Sequence, residues 1–213
     1  LHAFASTVSS SWAEGYIAEA RQYDILPESL EEGDMTKNIT REQFCELAYK
    51  TISQISYQNK IKITYAARES HFYDTDNSSV IALKRMGIVS GRTSTQFDPD
   101  GFITREEAAL ILNNAVTSLG LTKFTNTDGF KDRKEISSWA KESVNVVCGM
   151  NIMSGMGDGR FNPKGTYTKE QAISTMVRLI NNVPDSGSRE KIDNTRYYVY
   201  NKYFLWVENE EGK

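Results

Sequence analysis

The chain has 213 residues, of which 39% are hydrophobic, and a formal net charge of −3, so it is long enough to bury a sizeable core or several small modules. The slight negative charge argues against a general nucleic-acid surface and against a polybasic membrane patch, so any anion has to be bound by a local cluster of positive charge. No apolar run approaches the roughly 18 residues of a membrane-spanning helix, so we expect no membrane insertion.

The N-terminal part of the chain predicts a helix, a loop and a second helix. The first helix is expected in SSWAEGYIAEARQYDILP, the loop in ESLEEGDMTKNI, and the second helix from Thr40 onward. Ahead of them, Ala3-Phe4-Ala5 has the small-x-small form of a signal-peptidase site, although an ordinary N-terminal segment is the favoured interpretation.

The same succession returns twice further along the chain. Copy two reads DNSSVIALKRMGIVSG, RTSTQFDPDGFI and then a helix from Thr104. Copy three reads SSWAKESVNVVCGMNIMSG, with Ser138 as the expected N-cap, then MGDGRFNPKGTY and a helix from Thr168. The second helices begin 64 residues apart, which indicates an internal repeat. We expect repeat 1 at 9–56, a connector at 57–71, repeat 2 at 72–120 and repeat 3 at 121–183.

Each second helix begins with an N-cap threonine followed by a cation. Gln or Glu stands three positions after the threonine and completes a capping box, so the first helical position is Arg41, Arg105 or Lys169. A cation there is unfavourable by about a few tenths of a kcal/mol, because the helix dipole is already positive at that end. Free N–H groups, the dipole and a guanidinium together favour binding of a carboxylate. The plainer alternative is that each arginine pairs with a glutamate of its own helix.

The second helices carry apolar residues at matched places, with spacings of three, four and eight that form one stripe per helix. The stripe residues are Phe44, Leu47, Ala48 and Ile52, then Ala108, Ile111, Leu112 and Val116, then Ala172, Met176 and Ile180. A two-helix unit cannot cover such a stripe alone, so we expect the three units to pack together in an all-α, mainly helical body.

Two segments and two cysteines complete the prediction. Residues 53–71 are polar, with apolar residues at alternate positions around Ile61 and Ile63, which fits a loop or a short strand. Residues 184–213 read as a linker and an aromatic, strand-like tail, which fits the start of a following domain. Cys45 and Cys148 fall in apolar runs, so two buried free thiols are favoured over a bridge between them.

The ordered set of short motifs resembles one known family. The motifs are, in order, F-x-D, S-x-W-A, a G-I-hydrophobic-x-G step, F-x-P and T-R-x-E. Copy three matches them with FKDRKEISSWAKESVNVVCGMNIMSGMGDGRFNPKGTYTKEQ, and copy two with FYDTDNSSVIALKRMGIVSGRTSTQFDPDGFITREE. This pattern resembles the S-layer homology (SLH) domain, over roughly residues 9–182. The resemblance implies three tandem SLH repeats folded as a pseudo-threefold spindle, with a central helical bundle and grooves between neighbouring units.

The resemblance also implies a function and a set of residues. SLH domains anchor proteins non-covalently to the bacterial cell wall by binding a secondary cell-wall polysaccharide that often carries ketal-linked pyruvate. We therefore expect an extracellular, wall-bound module that has no catalytic activity and no cofactor. The motif arginines and first-helix tryptophans are groove residues of that family, and the candidate ligand-binding residues of this chain are Arg41, Arg105, Lys169, Trp12, Trp139, Asp74, Asp132, Gly91 and Gly155.

Plainer interpretations of these residues stay open. The tryptophans are as well explained as core anchors of the first helix as they are as platforms for a sugar ring. The aspartates are better explained as caps of helices or turns, and the glycines as backbone requirements after the first helix. The alternative function is therefore a structural or assembly module that binds a protein partner or nothing.

Differences between the copies predict unequal grooves. Lys169 keeps the charge of arginine but loses its bidentate geometry, and Glu28 stands where the other copies have Gly91 and Gly155, so it would repel an anion. The first helix of copy two is about six residues shorter by alignment and has no Trp. We expect one or two competent grooves.

Enzyme and metal sites find little support in the sequence. The histidines are His2 and His71, and neither lies in a metal-ligand spacing. The stretch DTDNSS resembles the start of a calcium loop, but such a loop needs Gly at its sixth and Glu at its twelfth position, where this chain has Ser79 and Arg85.

Overall fold

The computed structural model describes residues 7–65, 71–126 and 129–183, together with the backbone of three strands between 190 and 208. The first three ranges contain α1 Glu14–Gln22, α2 Arg41–Asn59, α3 Ser78–Arg85, α4 Arg105–Ser118, α5 Lys141–Gly149 and α6 Lys169–Asn181. The helix-loop-helix order predicted for each repeat is thus confirmed in all three. Short 3-10 turns lie at Glu28–Leu30 and Arg133–Glu135.

The second helices α2, α4 and α6 begin where the sequence predicts. Thr40, Thr104 and Thr168 are their N-caps, and each closes a complete capping box. The predicted apolar stripes are buried throughout. The end of α2 differs from the prediction, because the helix continues to Asn59 and residues 61–65 form no strand.

The first helices are more alike than the sequence alignment predicts. Helices α1, α3 and α5 have 9, 8 and 9 residues, so the expected shortening of copy two by about six residues is wrong. The reason is that Trp12 and Trp139 lie in a turn that precedes the helix rather than in the helix itself. Copy two replaces this turn with the side-chain cap of Asn77. The expected N-cap Ser138 is also wrong, since α5 begins after Ala140.

Helices pair across repeats in a closed cycle. Helix α2 packs against α3, α4 against α5, and α6 returns to pack against α1, with a further contact between α2 and α6. Each second helix therefore covers its apolar stripe with the first helix of the next repeat, and the last repeat is joined to the first.

A ring of backbone hydrogen bonds shows the same cyclic order at the centre of the molecule. The N–H of Ile39 donates to Tyr167 O at 2.8 Å, that of Ile103 to Ile39 O at 3.4 Å, and that of Tyr167 to Ile103 O at 3.1 Å. All three side chains are buried. Each of these residues stands just before the N-cap of its second helix, so the ring gathers the three helix starts around one pseudo-threefold axis.

The predictions of free thiols and of a strand-like tail agree with the described residues, whereas Ala3-Phe4-Ala5 and residues 184–189 of the predicted linker lie outside them. Cys45 is buried and Cys148 half-buried, and both are free thiols. In the tail, the backbone of β1 Glu190–Ile192, β2 Thr195–Tyr200 and β3 Tyr203–Glu208 forms an antiparallel sheet in the order β1-β2-β3, which confirms the strand-like tail.

Candidate functional site

The first N–H groups of each second helix are already occupied by the neighbouring repeat. The first-position N–H donates to a loop carbonyl at 2.8 to 3.0 Å in the pairs Arg41–Gly101, Arg105–Gly165 and Lys169–Lys37. The second-position N–H groups donate in the same way to Pro99, Pro163 and Met35. The expectation of free N–H groups is therefore wrong, because the loops use these donors to hold the repeats together. Any anion has to be bound by side chains.

Three junctions between repeats follow from this arrangement. We define junction I–II by Arg41 against repeat 2, junction II–III by Arg105 against repeat 3, and junction III–I by Lys169 against repeat 1. Arg41 and Arg105 are 5% and 4% exposed. Burial lowers the pKa of both guanidinium groups from their ordinary value, although arginine stays protonated over the physiological range.

Both arginines occupy the same cradle of the following repeat. Each guanidinium donates to two backbone carbonyls: Arg41 to Phe97 at 3.1 Å and Ser90 at 3.3 Å, and Arg105 to Phe161 at 2.7 Å and Ser154 at 2.6 Å. Each also lies over the ring of that phenylalanine, at 4.7 Å and 4.8 Å from the centroid. The arginines therefore fasten one repeat to the next.

The two junctions differ in their acidic neighbours. In junction I–II, Arg41 Nη1 lies 3.5 Å from Glu107 Oε1, which also contacts Arg92. Within the described ranges, no ion pair joins Arg105 to a carboxylate, and the position equivalent to Glu107 is Gln171. The predicted pairing with a glutamate of the same helix is thus not observed for either arginine. Junction I–II thus sets the carboxylates of Glu107 and Asp98 against the guanidinium groups of Arg41 and Arg92, whereas no carboxylate among the described residues forms an ion pair with Arg105.

Junction III–I lacks the guanidinium cradle. Lys169 is half-buried, and its backbone rather than its side chain makes the contact to Lys37. The loop of repeat 1 has Gly33 where the other loops have Phe97 and Phe161, so it offers no aromatic ring at this position. A single ammonium cannot reproduce the fork that binds two carbonyls in the other junctions.

The glutamate after each motif cation is a contact that the sequence analysis missed. Glu170 accepts from the backbone N and hydroxyl of Ser10 at 2.9 and 2.8 Å, and Glu106 does the same for Ser137, at 3.0 Å each. Glu106 also pairs with Lys164. The residue type at this position, Glu in all three copies, was the available signal. These carboxylates fix the serine of S-x-W-A across the repeat boundary.

The tryptophans are surface residues of that fixed turn. Trp12 is 48% and Trp139 50% exposed, whereas the alanine that follows each of them is fully buried. The alanine is therefore the core anchor of the turn, and the indole is left half open to solvent. This exposure does not fit the core-anchor interpretation, and the role as a platform for a sugar ring stays a prediction.

The aspartates and glycines hold the loop within each repeat. Asp132 accepts from the backbone N of Phe161 at 2.9 Å and of Asn162 at 2.7 Å. Asp74 binds the equivalent loop, and the N–H groups of Asp98 and then Phe97 lower its pKa from the ordinary value. These contacts agree with the turn-cap interpretation.

Gly91 and Gly155 are required by close packing. A Cβ built on Gly91 would lie 2.3 Å from the carbonyl oxygen of Gln96, and one on Gly155 would lie 2.8 Å from that of Arg160. The loop of the same repeat thus takes the space that the missing side chains leave. This favours the backbone interpretation over a surface for ligand approach.

An open cleft lies at the other end of the second helices. It has a volume of about 670 Å³ and is lined by Tyr23, Ile55, Gln58, Asn59, Ile180, Asn181 and Val183. None of the predicted site residues lines it. In the described part of the chain, no group of His, Cys, Asp and Glu side chains is placed to hold a metal ion, and no helix is long and apolar enough to cross a membrane.

Two segments of the chain match a known protein family. Residues 72–109 and 129–173 match the family model of the S-layer homology domain. These two segments correspond to the second and third repeats, and the first repeat shares their helix order and their position in the cyclic packing.

Similar curated proteins are much longer than this chain. It is 25% identical over 183 residues to an endoglucanase of Bacillus sp. (strain KSM-635), covering 83% of this chain and 18% of the enzyme. It is 26% identical to Exoglucanase XynX of Acetivibrio thermocellus, covering 81% and 16%. A match to the surface-layer 125 kDa protein of Lysinibacillus sphaericus is 23% identical and covers 84% and 15%. The chain therefore spans less than a fifth of each of these relatives.

Proposed function

We propose that this chain attaches the protein that carries it to the bacterial cell wall, because its residues 72–109 and 129–173 match the S-layer homology domain. The module then works outside the cell, at the wall surface, and its role is binding rather than catalysis. The similar proteins support this proposal. One is named a surface-layer protein and two are named glucanases, and each matches this chain over less than a fifth of its own length.

The ligand that fits best is an anionic secondary cell-wall polysaccharide bound at junction II–III. The observation that carries this assignment is Arg105, a buried guanidinium with no carboxylate in ion-pair contact among the described residues. A carboxylate such as that of a pyruvyl ketal supplies the missing negative charge. Trp139 stands on the same repeat 3 as the cradle of Arg105, half exposed, and offers a face to a sugar ring.

A structural or assembly module is the second candidate. It is favoured by the contacts of the arginines themselves, which join repeats through backbone carbonyls whether or not a ligand binds. The two candidates differ in what they require of the wall, because only the first needs the polysaccharide.

The test is co-sedimentation of the chain with purified wall sacculi before and after removal of the secondary polymer. We expect binding to the intact sacculi and its loss after the polymer is removed. Binding that persists on stripped sacculi would contradict the polysaccharide proposal and favour a protein partner or the peptidoglycan itself.

Matched lysine variants separate binding from stability. Arg105→Lys and Arg41→Lys each remove a fork that serves two carbonyls, so both should lower the free energy of unfolding by about 1–3 kcal/mol. Only Arg105→Lys is expected to weaken polymer binding, by about tenfold or more, because the carboxylate of Glu107 already lies beside Arg41. Equal loss of binding in the two variants would show that binding follows stability alone.

A further inference from the structure

Junctions I–II and II–III present the same cradle with different charged neighbours. The guanidinium groups of Arg41 and Arg105 bind equivalent carbonyls and equivalent phenylalanine rings. Glu107, Arg92 and Asp98 of junction I–II correspond to Gln171, Met156 and Asn162 of junction II–III. Of these, Glu107 lies three positions after the N-cap of the helix in the following repeat and contacts Arg41 directly.

The two oxygens of Glu107 have different tasks. Oε2 accepts from the backbone N–H of Thr104 at 2.9 Å and completes the capping box. Oε1 faces Arg41 at 3.5 Å and also contacts Arg92. The side chain is 13% exposed, so one carboxylate is held, largely shielded from water, against two guanidinium groups.

Gln171 can perform only the first of these tasks. Its single oxygen accepts from the backbone N–H of Thr168 at 3.2 Å, which completes the capping box. The other end of the side chain is an amide NH2, which is a donor and cannot neutralise a guanidinium. Repeat 3 also has Met156 at the position of Arg92.

We propose that Glu107 is an internal competitor for the anionic ligand, which closes junction I–II and leaves junction II–III as the receptor. This inference rests on the proposed function and adds the residue that decides which junction binds. A ligand carboxylate approaching Arg41 meets a carboxylate that is already in place, and repulsion between the two disfavours binding. Junction III–I stays outside this comparison because it lacks the cradle.

Exchange of the two residues tests the proposal with little risk to the fold. Gln43 and Gln171 complete the same capping box that Glu107 completes, so Glu107→Gln and Gln171→Glu both keep the helix caps. The full chain is titrated calorimetrically with a soluble monosaccharide that carries a pyruvyl ketal. We expect one site in the wild-type chain, two in Glu107→Gln, and binding weakened by about tenfold or more in Gln171→Glu.

The double variant is the sharpest control. Glu107→Gln combined with Gln171→Glu should retain one site but move it to junction I–II. Binding should then be sensitive to Arg41→Lys and insensitive to Arg105→Lys, which reverses the order expected in the wild-type background. Thermal unfolding of every variant, followed by circular dichroism, reports whether the fold is kept.

The outcomes distinguish a failure of the role assigned to Glu107 from a failure of the proposed ligand. If the wild-type chain binds two sugars, or if Glu107→Gln binds no more than the wild type, the role of Glu107 is overturned while carbohydrate binding stands. If neither the wild-type chain nor Glu107→Gln binds the pyruvylated sugar, both the competitor role and the proposed ligand are overturned.

Discussion

At the scale of single residues, burial decides which groups can react. Cys45 lies fully inside the core, and burial raises its pKa to about 12, while the pKa of Cys148 rises to about 11. Both thiols are thus kept in the neutral form that an apolar environment favours. They serve as small apolar side chains, which is the role that the sequence predicted for them.

The buried thiol of Cys45 makes the fold sensitive to alkaline pH. Its folded pKa of about 12 lies above the ordinary thiol value of 9.0, so its contribution to stability is complete below about pH 9 and is lost as the pH rises toward 12. Between about pH 8 and about pH 10.5 this group should lower the free energy of unfolding by about 2 kcal/mol. Urea unfolding at the two pH values measures the change.

The matched variant for this experiment is Cys45→Ala. It should show a smaller loss between the two pH values than the wild-type chain does, because the remaining titratable groups are the same. Identical pH dependence in the two chains would contradict a stabilising role for the neutral thiol.

Sequence reasoning at this scale succeeded where the cause is local. The place of Arg105 at the first helical position follows from the capping box, and the structure confirms it. The partner of Glu107 could not be predicted in that way, because Arg41 belongs to another repeat. From the sequence, the capping box accounts fully for this glutamate. Its second carboxylate oxygen gains a partner only when the repeats pack together.

At the scale of elements, one loop design is used twice with different degrees of burial. The loops of repeats 2 and 3 are tied to an upstream aspartate by two successive backbone N–H groups. Asp132 is 6% exposed, whereas Asp74 is exposed. The same bonds therefore replace water in repeat 3 and compete with water in repeat 2.

Asparagine substitutions should separate the two loops. Asp132→Asn leaves one acceptor for two N–H groups, so one buried donor loses its partner and the free energy of unfolding should fall by about 1–3 kcal/mol. Asp74→Asn should lower the free energy of unfolding by less, because water reaches the freed N–H group beside this exposed aspartate. Chemical denaturation of both variants checks the difference, and an equal cost would show that the exposure of the aspartate does not matter.

The elements also show why the tryptophan turn was misassigned. The sequence S-x-W-A followed by apolar spacing reads as a continuous helix, and the expected N-cap Ser138 follows from that interpretation. In the structure Ser137, two positions before Trp139, donates its backbone N–H and its hydroxyl to Glu106 of the preceding repeat, and α5 starts only at Lys141. A tertiary contact thus replaces the local cap, and no local signal reveals it.

At the scale of the whole molecule, the cyclic packing distinguishes these repeats from a solenoid. In an open array each end repeat has one neighbour, but here α6 packs against α1 and the backbone ring joins Ile39, Ile103 and Tyr167. The sequence predicted that three units share a core, since each stripe needs a cover. It could not show which helix covers which stripe, because periodicity identifies the apolar face and not its partner.

Removal of one repeat should therefore lower the free energy of unfolding by more than the loss of chain length alone predicts. A chain that ends at residue 120 loses two of the three junctions and leaves both α1 and α4 without their partners. We expect this truncated chain to lose its cooperative urea transition, while the full repeat region unfolds in a single transition. A truncated chain that unfolds sharply, with stability reduced only in proportion to its length, would contradict the closed cycle.

The contact between Ser10 and Glu170 joins residues 160 positions apart, and this separation has a consequence for biosynthesis. A ribosome completes the first helix long before it reaches the partner helix, so the apolar face of Ile17 and Ala20 stays uncovered for most of the time that translation takes. A chain that terminates before α6 lacks the helix that packs against α1, so it cannot close the cycle of repeats. The wall binding proposed above therefore requires a chain translated through α6.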